Sequence, residues 1–193
     1  MIKKFLFLSV FAFVLISATT ANKRKDSEKV VVQPINIDYN IPYLQKNFVG
    51  FKEAVAFKES QGSYTVVNTL GYLGKYQFGR TTLERFNIHN TDAFLKNREL
   101  QEKAFVALCK VNKWILRRDI KRSVGKTMNG VIITESGILA AAHLSGAGNV
   151  KKFLRSGGSQ RFSDAYGASI QSYMKNFADY DVSNIIADRK ATI

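Results

Sequence analysis

One carboxylate stands out by its place in the sequence. The residues Phe48, Phe51 and Val55 recur at helical spacing and form the apolar face of a predicted helix. Glu59 continues that face and falls in the last helical turn, where the backbone dipole disfavours an anion. Burial and the dipole both favour the protonated carboxyl group, which is the form that a general acid needs. An ordinary glutamate at a fraying helix end is the alternative that these residues leave open.

Helices must position this carboxylate. No proline occurs after Pro42, and the apolar spacing from Leu44 onward is helical. The pattern predicts helices over residues 44–60, 97–124, 136–144, 150–154 and 164–177, and a short helix that opens with a capping box at 81–84 and carries Leu83 and Phe86. We expect the helix over 97–124 to be the central buried one, with its apolar stripe at Leu100, Ala104, Leu108, Val111 and Ile115 and its C-cap at Gly125.

Extended structure is confined to two short stretches. The segment 131–133 is rich in β-branched residues and follows a turn at Asn129–Gly130, and a small hairpin fits within residues 63–78 because Tyr, Val and Thr are dense there. The predicted fold class is therefore mainly α: a helical bundle around a central buried helix, with at most a small β-hairpin next to the cleft that holds Glu59.

Composition restricts the partners and cofactors. The 193 residues include 29 Lys and Arg against 15 Asp and Glu, a net charge of +14, which favours an acidic polymer or an anionic surface. The only cysteine, Cys109, excludes an internal disulfide and a multi-cysteine zinc site, and we interpret it as a packing residue. We expect no metal, no cofactor and a monomer. Basic pairs such as Lys151–Lys152 could contact phosphates, but no motif of nucleic-acid-binding proteins accompanies them.

The N-terminus is typical of an exported protein. Residues 1–21 have a basic start, an apolar run and a small-residue end, which predicts a signal peptide. The apolar run is too short to cross a membrane, although an uncleaved anchor remains an alternative. Residues 22–43 then form a linker or arm, and residues 44–193 form one domain. We expect a periplasmic or secreted protein that carries its positive charge with it and is not inserted in the membrane once the signal is removed.

Four blocks of sequence resemble the lysozyme-like lytic transglycosylases, in particular the catalytic domain of the soluble murein type. The blocks start at Glu59 (Glu-Ser-Gln-Gly), Gly74 (Gly-Lys-Tyr-Gln-Phe), Ala142 (Ala-His-Leu-Ser-Gly-Ala-Gly) and Tyr173 (Tyr-Met-Lys-Asn-Phe). The family has Glu-Ser-Gly-Gly, Gly-Leu-Met-Gln, Ala-Tyr-Asn-Ala-Gly-x-Gly and Tyr-Val-x-x-Val in the same order. The resemblance spans residues 59–177 and implies a lysozyme-like fold.

The resemblance also implies a role for each matched residue. Glu59 would be the catalytic acid and base, and Tyr173 would hold it. Ser60 would bind the sugar or orient the carboxyl group by its hydroxyl, and Gln77 would contact the sugar N-acetyl group or the catalytic carboxylate by its amide. The other matched positions would bind or approach the sugar: Gly74 by its backbone, Tyr76 by stacking, and Phe78, His143 and Gly146 within the same blocks. Each has a plainer alternative, because Ser60 can end a helix, Gln77 can cap a turn, the tyrosines can pack in the core, and Gly146 and Gly148 can stop a helix.

One departure concerns the third block. His143 and Leu144 stand where the family has Tyr-Asn, so the substrate-binding amide is missing. His143 could supply a hydrogen-bond donor instead, or it could be a satisfied helix histidine.

The scarcity of acids bears on the reaction. No Asp or Glu occurs from Ser60 to Arg80, the region where lysozymes of the hen and goose types keep an assisting aspartate. The resemblance therefore implies a lytic transglycosylase, in which Glu59 alone cuts the bond between N-acetylmuramic acid and N-acetylglucosamine in peptidoglycan and a 1,6-anhydro ring forms. A hydrolytic muramidase is the alternative if a remote acid such as Asp92 or Glu135 folds into the cleft. A non-catalytic cell-wall-binding domain is a second alternative.

Overall fold

The computed structural model describes residues 45–193. The predicted signal peptide (1–21), the arm (22–43) and residue 44 lie outside the described residues. Six helices and two short strands occur in the described part: α1 Phe48–Ser60, α2 Arg80–Arg85, α3 Thr91–Lys96, α4 Arg98–Ser123, β1 Thr127–Met128, β2 Val131–Ile132, α5 Glu135–Arg155 and α6 Ile170–Asn176. The mainly α prediction is confirmed, and the strands form one small antiparallel sheet.

Local sequence explains most helix boundaries. The side chains of Asn47, Asn90, Asn97, Thr134 and Ser169 cap the N-termini of α1, α3, α4, α5 and α6. The turn at Asn129–Gly130 has positive φ at both residues and joins β1 to β2, as predicted. The capping box predicted at 81–84 is wrong, because α2 begins at Arg80 and its N-cap, Gly79, has no side chain.

The helix enclosed on all sides is the first half of α5, rather than α4 as predicted. Residues 136–142 of α5 are buried without interruption over about two turns, while α5 packs against both α4 and α6. Small side chains make this possible. A Cβ at Gly137 would stand 2.6 Å from the backbone oxygen of Met174, so α6 crosses α5 in close contact.

The buried face of α4 is rotated from the predicted stripe. Ala104 and Val111 are buried as expected, but the other three predicted positions are only partly buried. The buried face also includes apolar residues outside that stripe, such as Phe105 and Leu116, and polar ones, among them Gln101 and Asp119. The Gln101 amide accepts from the Lys75 N–H and donates to the Tyr64 carbonyl, which satisfies a buried polar group that the apolar pattern does not anticipate.

The helices predicted over 136–144 and 150–154 are confirmed as the two parts of α5, which the non-helical Gly146 (φ 78°, ψ 150°) divides. The last helix begins at Ile170 and not near 164, because Gly167 has φ 83° and the Ser169–Ser172 capping box starts the helix later. The hairpin expected within 63–78 consists only of isolated bridges at Leu73, to Val67 and to Phe78. No described helix combines the length and the apolar character needed to span a membrane.

Candidate functional site

A groove made of three adjoining cavities runs along the protein surface. The Glu59 cavity has a volume of about 340 Å³, the middle cavity about 690 Å³ and the far cavity about 370 Å³. The Glu59 and middle cavities share Leu70, Tyr72, Gln77, His143, Leu144 and Phe162. The middle and far cavities share Thr81, Thr82, Leu108 and Asn112. This continuity gives the groove the shape of a site for an extended polymer rather than for one small molecule.

Glu59 lies at one end of the groove, in the last turn of α1 as predicted. The helix ends just after it because Gln61 adopts a left-handed conformation (φ 55°) and donates its N–H to the carbonyls of Ala56 and Phe57. Glu59 is half-buried, and its Oε1 accepts a 2.8 Å hydrogen bond from the phenol of Tyr173. The predicted partnership of these two residues, which are 114 positions apart, is present.

Tyr173 comes to Glu59 on α6. Its ring is buried beside Phe177, with the two ring centroids 5.1 Å apart, and only its hydroxyl reaches the carboxylate. The close crossing of α6 over Gly137 fixes the helix that carries it. The phenol position is therefore set by helix packing and not by a flexible loop.

Gln77, Phe78 and Gly146 line the groove. Gln77 has a left-handed backbone (φ 50°), and its side-chain Nε2 donates to the Gly74 carbonyl at 2.9 Å, so its amide is held at the boundary of the Glu59 and middle cavities. Phe78 is buried and forms part of the wall of the middle cavity. Gly146 lies on the rim of the same cavity, where its non-helical conformation interrupts α5.

Three residues predicted to contact sugar, Ser60, Gly74 and Tyr76, do not line the three cavities. The hydroxyl of Ser60 donates to the Lys75 carbonyl at 2.7 Å and ties α1 to the following loop. Gly74 has φ 71°, and a Cβ there would collide with the Gln101 amide. Tyr76 is fully buried, stacked on Phe105 with centroids 4.1 Å apart, so its ring cannot stack on a pyranose.

His143 lines both the Glu59 and the middle cavities, but it is not the donor that the sequence suggested. Its Nε2 lies 2.7 Å from the carbonyl oxygen of Tyr76. A carbonyl only accepts, so Nε2 carries the proton and is already engaged. In the neutral ring Nδ1 is then an acceptor, and it is buried with no hydrogen-bond partner among the described residues. His143 therefore fixes the backbone at Tyr76 beneath the groove.

A buried ion network behind the groove was missed by the sequence analysis. Lys75 is 4% exposed, and its Nζ lies 2.7 Å from both Glu53 and Glu102. Glu102 also accepts hydrogen bonds from Lys52, Tyr64 and Tyr76. Lys75 is the only charged residue from Ser60 to Gly79. This isolated charge was the feature of the sequence that could have indicated the buried ion network.

These contacts shift the acidity of the network. Burial raises the pKa of Glu102, but hydrogen bonds from Lys52 and Lys75 outweigh it and hold the pKa at about 2. Burial lowers the pKa of Lys75, but its hydrogen bonds to Glu102 and Glu53 raise the pKa by more. The pKa of Lys75 therefore lies above its usual value. Burial and Glu102 raise the pKa of the Tyr76 phenol, which stays protonated as a donor. Lys75 and Glu102 are thus both charged at neutral pH, and the network anchors the loop over residues 61–79.

A second carboxylate in the Glu59 cavity was also missed. Asp164 lines that cavity from the segment before α6. Its Oδ1 accepts from the N–H groups of Tyr166 (2.9 Å) and Ala168 (2.7 Å). The two acids named as remote candidates lie elsewhere: Asp92 is exposed on α3, and Glu135 pairs with Lys113 at 2.9 Å. Asp164 falls at the start of a predicted helix, so the sequence did not indicate that it would line the same cavity as Glu59.

Three further features of the described residues concern the charge of the groove, the Cys109 thiol and metal binding. Arg80 lines the middle cavity and Arg85 the far cavity, so the groove becomes basic away from Glu59. Burial raises the pKa of the Cys109 thiol to about 12, and the residue packs in the core as predicted. Within residues 45–193, no cluster of three or more His, Cys, Asp or Glu is arranged to hold a metal ion.

No protein-family model, no curated protein and no solved structure matches this chain.

Proposed function

We propose that this protein is a lysozyme-like lytic transglycosylase that cleaves the glycan strands of peptidoglycan. One observation supports this most directly: residues of all four sequence blocks that resemble the family lie in one groove or bond to its lining. The first block supplies Glu59, the second Gln77 and Phe78, and the third His143 and Gly146, while the Tyr173 hydroxyl of the fourth bonds to Glu59 without being part of the lining. Blocks that match only by chance would not be expected to meet at one groove.

Glu59 performs the first proton transfer in the proposed reaction. Because Oε1 accepts the Tyr173 hydrogen bond, Oε2 is the oxygen that carries the transferable proton. The protonated carboxyl group donates to the glycosidic oxygen between N-acetylmuramic acid and N-acetylglucosamine, and the bond to the anomeric carbon breaks. The substrate N-acetyl group stabilises the positive charge that develops at that carbon, and Gln77 lies where it can orient the sugar.

The second transfer returns Glu59 to its starting state. The ionised carboxylate accepts the proton of the muramoyl C6 hydroxyl, whose oxygen then bonds to the anomeric carbon. A 1,6-anhydro ring closes, the leaving strand keeps the first proton, and no water enters either product. One carboxyl group therefore suffices for both steps.

Groove length and charge fit a polymeric, acidic substrate. The groove extends from Glu59 through the middle and far cavities, and Arg80 and Arg85 lie along it. The predicted export and the strongly basic composition would concentrate the protein at an anionic cell envelope.

The test is digestion of purified peptidoglycan followed by mass spectrometry. We expect muropeptides with anhydro ends, one water lighter than hydrolytic products. Glu59→Gln should lower the rate by at least about 10³-fold, because it removes both proton transfers. Glu84→Gln, an exposed glutamate on α2 outside the groove lining, is the matched control and should leave the rate unchanged. Binding of peptidoglycan without cleavage by the unmodified protein would contradict the proposal and favour a cell-wall-binding domain.

A hydrolytic muramidase is the second candidate, and Asp164 is the observation that favours it. A second carboxylate in the Glu59 cavity could activate water or stabilise the anomeric cation. In that case the products contain one additional water, and Asp164→Asn lowers the rate by about 10²-fold or more. Our proposal predicts anhydro products and an Asp164→Asn rate within about threefold of the unmodified protein, since replacing a turn acid leaves the Glu59 chemistry intact.

A further inference from the structure

The two walls of the Glu59 cavity are joined at the surface by one hydrogen bond. The hydroxyl oxygens of Thr69 and Tyr166 lie 2.7 Å apart, although the residues are 97 positions apart in the chain. Both are exposed, and Tyr166 retains 63% of its accessible surface. We refer to this contact as the rim bridge.

Two matching turns hold the residues of the rim bridge. In the Asn68 turn (residues 68–72), Oδ1 of Asn68 accepts from the N–H groups two and four positions later, and Gly71 has φ 80°. In the Asp164 turn (residues 164–168), Oδ1 of Asp164 accepts from the same two positions, and Gly167 has φ 83°. In each turn the first residue also bonds through its backbone N–H to the carbonyl of the fifth. Each bridging hydroxyl therefore belongs to a turn that is held by side-chain and backbone hydrogen bonds.

The rim bridge joins two segments that contribute to the Glu59 cavity. Residues of both turns line this cavity together with Glu59, Gln77 and His143, whose side chains are less exposed than those of Thr69 and Tyr166. The groove continues from this cavity into the middle and far cavities. A bond between exposed hydroxyls of two lining segments would hinder a long polymer from being laid sideways into the Glu59 cavity.

We propose that Thr69 and Tyr166 determine where a glycan strand is cut, by closing the Glu59 cavity so that the strand enters by its end. This inference rests on the proposed function. A strand threaded from the middle cavity passes its terminal sugars under the bridge, and the bond cut lies a fixed number of sugars from that terminus. Cuts in the interior of a strand require the bridge to open.

The bridge is strong enough to bias entry but not to lock it. A single hydrogen bond of ordinary strength favours the closed arrangement by about 2- to 10-fold. Removing one hydroxyl should therefore raise the share of interior cuts by about that factor, while the chemistry at Glu59 continues.

The experiment uses uncrosslinked peptidoglycan strands that carry a fluorescent label at one end, with products sized over time. For the unmodified protein we expect the earliest products to have one short length released from a strand end. Thr69→Val and Tyr166→Phe should each add intermediate lengths from the start of the reaction, and the double variant should resemble either single variant because they remove the same bond. Thr65→Val, an exposed threonine of the same loop outside the cavity lining, is the matched control and should behave like the unmodified protein.

Each other outcome has a definite meaning. Intermediate lengths from the unmodified protein at early times, or no change in product lengths in both variants at unchanged total cleavage, would overturn the role of the bridge and leave the proposed function intact. Absence of any glycan cleavage by the unmodified protein would overturn the proposed function, and this inference with it.

Discussion

The Asn68 turn and the Asp164 turn both line the Glu59 cavity and share one backbone pattern. Each begins with a residue whose side-chain oxygen accepts two backbone N–H groups, and each has a glycine with positive φ at its fourth position. They differ in the capping group, which is a neutral amide in one and a carboxylate in the other. The comparison teaches that a turn of this kind does not need a charge, so the turn geometry alone explains an acceptor at Asp164 but not a carboxylate.

The surroundings of the two turns differ more than the turns themselves. The loop that contains the Asn68 turn is anchored from behind by the buried network of Lys75 and Glu102. The Asp164 turn leads within a few residues into α6, which carries Tyr173 to Glu59. One turn therefore depends on buried charge, and the other is coupled to the candidate catalytic group.

The largest expected effect tests the network behind the Asn68 turn. The pKa of Glu102 is about 2 in the folded protein against its usual 4.5. Because the unfolded chain takes up a proton first, this contribution is complete above about pH 4.5 and is lost as the pH falls toward 2, a change of about 3 kcal/mol at most. Glu102→Gln should destabilise the protein at neutral pH by a similar amount, since it removes one of the two carboxylates that pair with the buried Lys75.

Denaturant unfolding at pH 7 and pH 3 measures this effect, and amide exchange locates it. Protection of the N–H groups of Leu70 and Tyr72 should fall at pH 3 more than that of Tyr166 and Ala168. Glu99→Gln is the control, because Glu99 is an exposed acid on the same helix and pairs only with Lys103. Equal loss of protection in both turns would contradict the asymmetry.

The next effect tests the link from the Asp164 turn to the candidate catalytic carboxyl group of Glu59. Tyr173→Phe removes the hydrogen bond to Glu59 and keeps the ring packed beside Phe177. A hydrogen bond to a group that becomes charged is worth about 1.5–3 kcal/mol, so turnover should fall roughly 10- to 100-fold. Tyr180→Phe, outside the groove lining, serves as the control and should retain full turnover. An unchanged rate in Tyr173→Phe would show that the phenol does not hold the acid.

A smaller effect tests the caps directly. Asn68→Ala and Asp164→Ala each leave two backbone N–H groups without their acceptor, and each should lower the free energy of unfolding by about 1–2 kcal/mol. Thermal unfolding measures the loss. The two variants should be alike in stability, but Asp164→Ala should lower turnover more because its turn leads to Tyr173. A clear difference in stability would mean that the two turns are not equivalent.

The smallest effect separates charge from geometry. Asp164→Asn and Asn68→Asp both preserve the accepting oxygen, so each should change the free energy of unfolding by less than about 0.5 kcal/mol at pH 7. Chemical denaturation gives these values. A loss well above that limit in Asp164→Asn alone would show that the carboxylate itself stabilises its turn.

The parts of the site that could be predicted depend on local pattern. Glu59 at the end of α1 follows from apolar spacing and a short-range helix stop. Gln77 and Tyr173 were found because they belong to recognisable blocks. The rest depends on contacts between distant segments: the network at Lys75 needs α1, a loop and α4 together, and Asp164 lines the Glu59 cavity from a turn that precedes α6.

Tyr76 and Gln101 show the same limit in the core. An aromatic residue in a tyrosine-rich loop was expected to reach substrate, but it is buried because its hydroxyl has an acceptor on α4, Glu102. Gln101 lies on the buried face of α4 because loop backbone groups need its amide. Neither partner can be inferred from helical periodicity.

The C-terminal segment has a consequence for the order in which the protein is made. Val182 and Ile185 are buried, the carbonyl of Lys46 accepts from the N–H of Asp181, and that of Lys110 accepts from Asp188. These contacts fasten the residues just before α1 and the middle of α4 with residues that are synthesised after both. During synthesis Glu59 emerges more than a hundred residues before Tyr173, and its helix is secured only later still. The surroundings of Glu59 are therefore assembled only after residues far along the chain have been made.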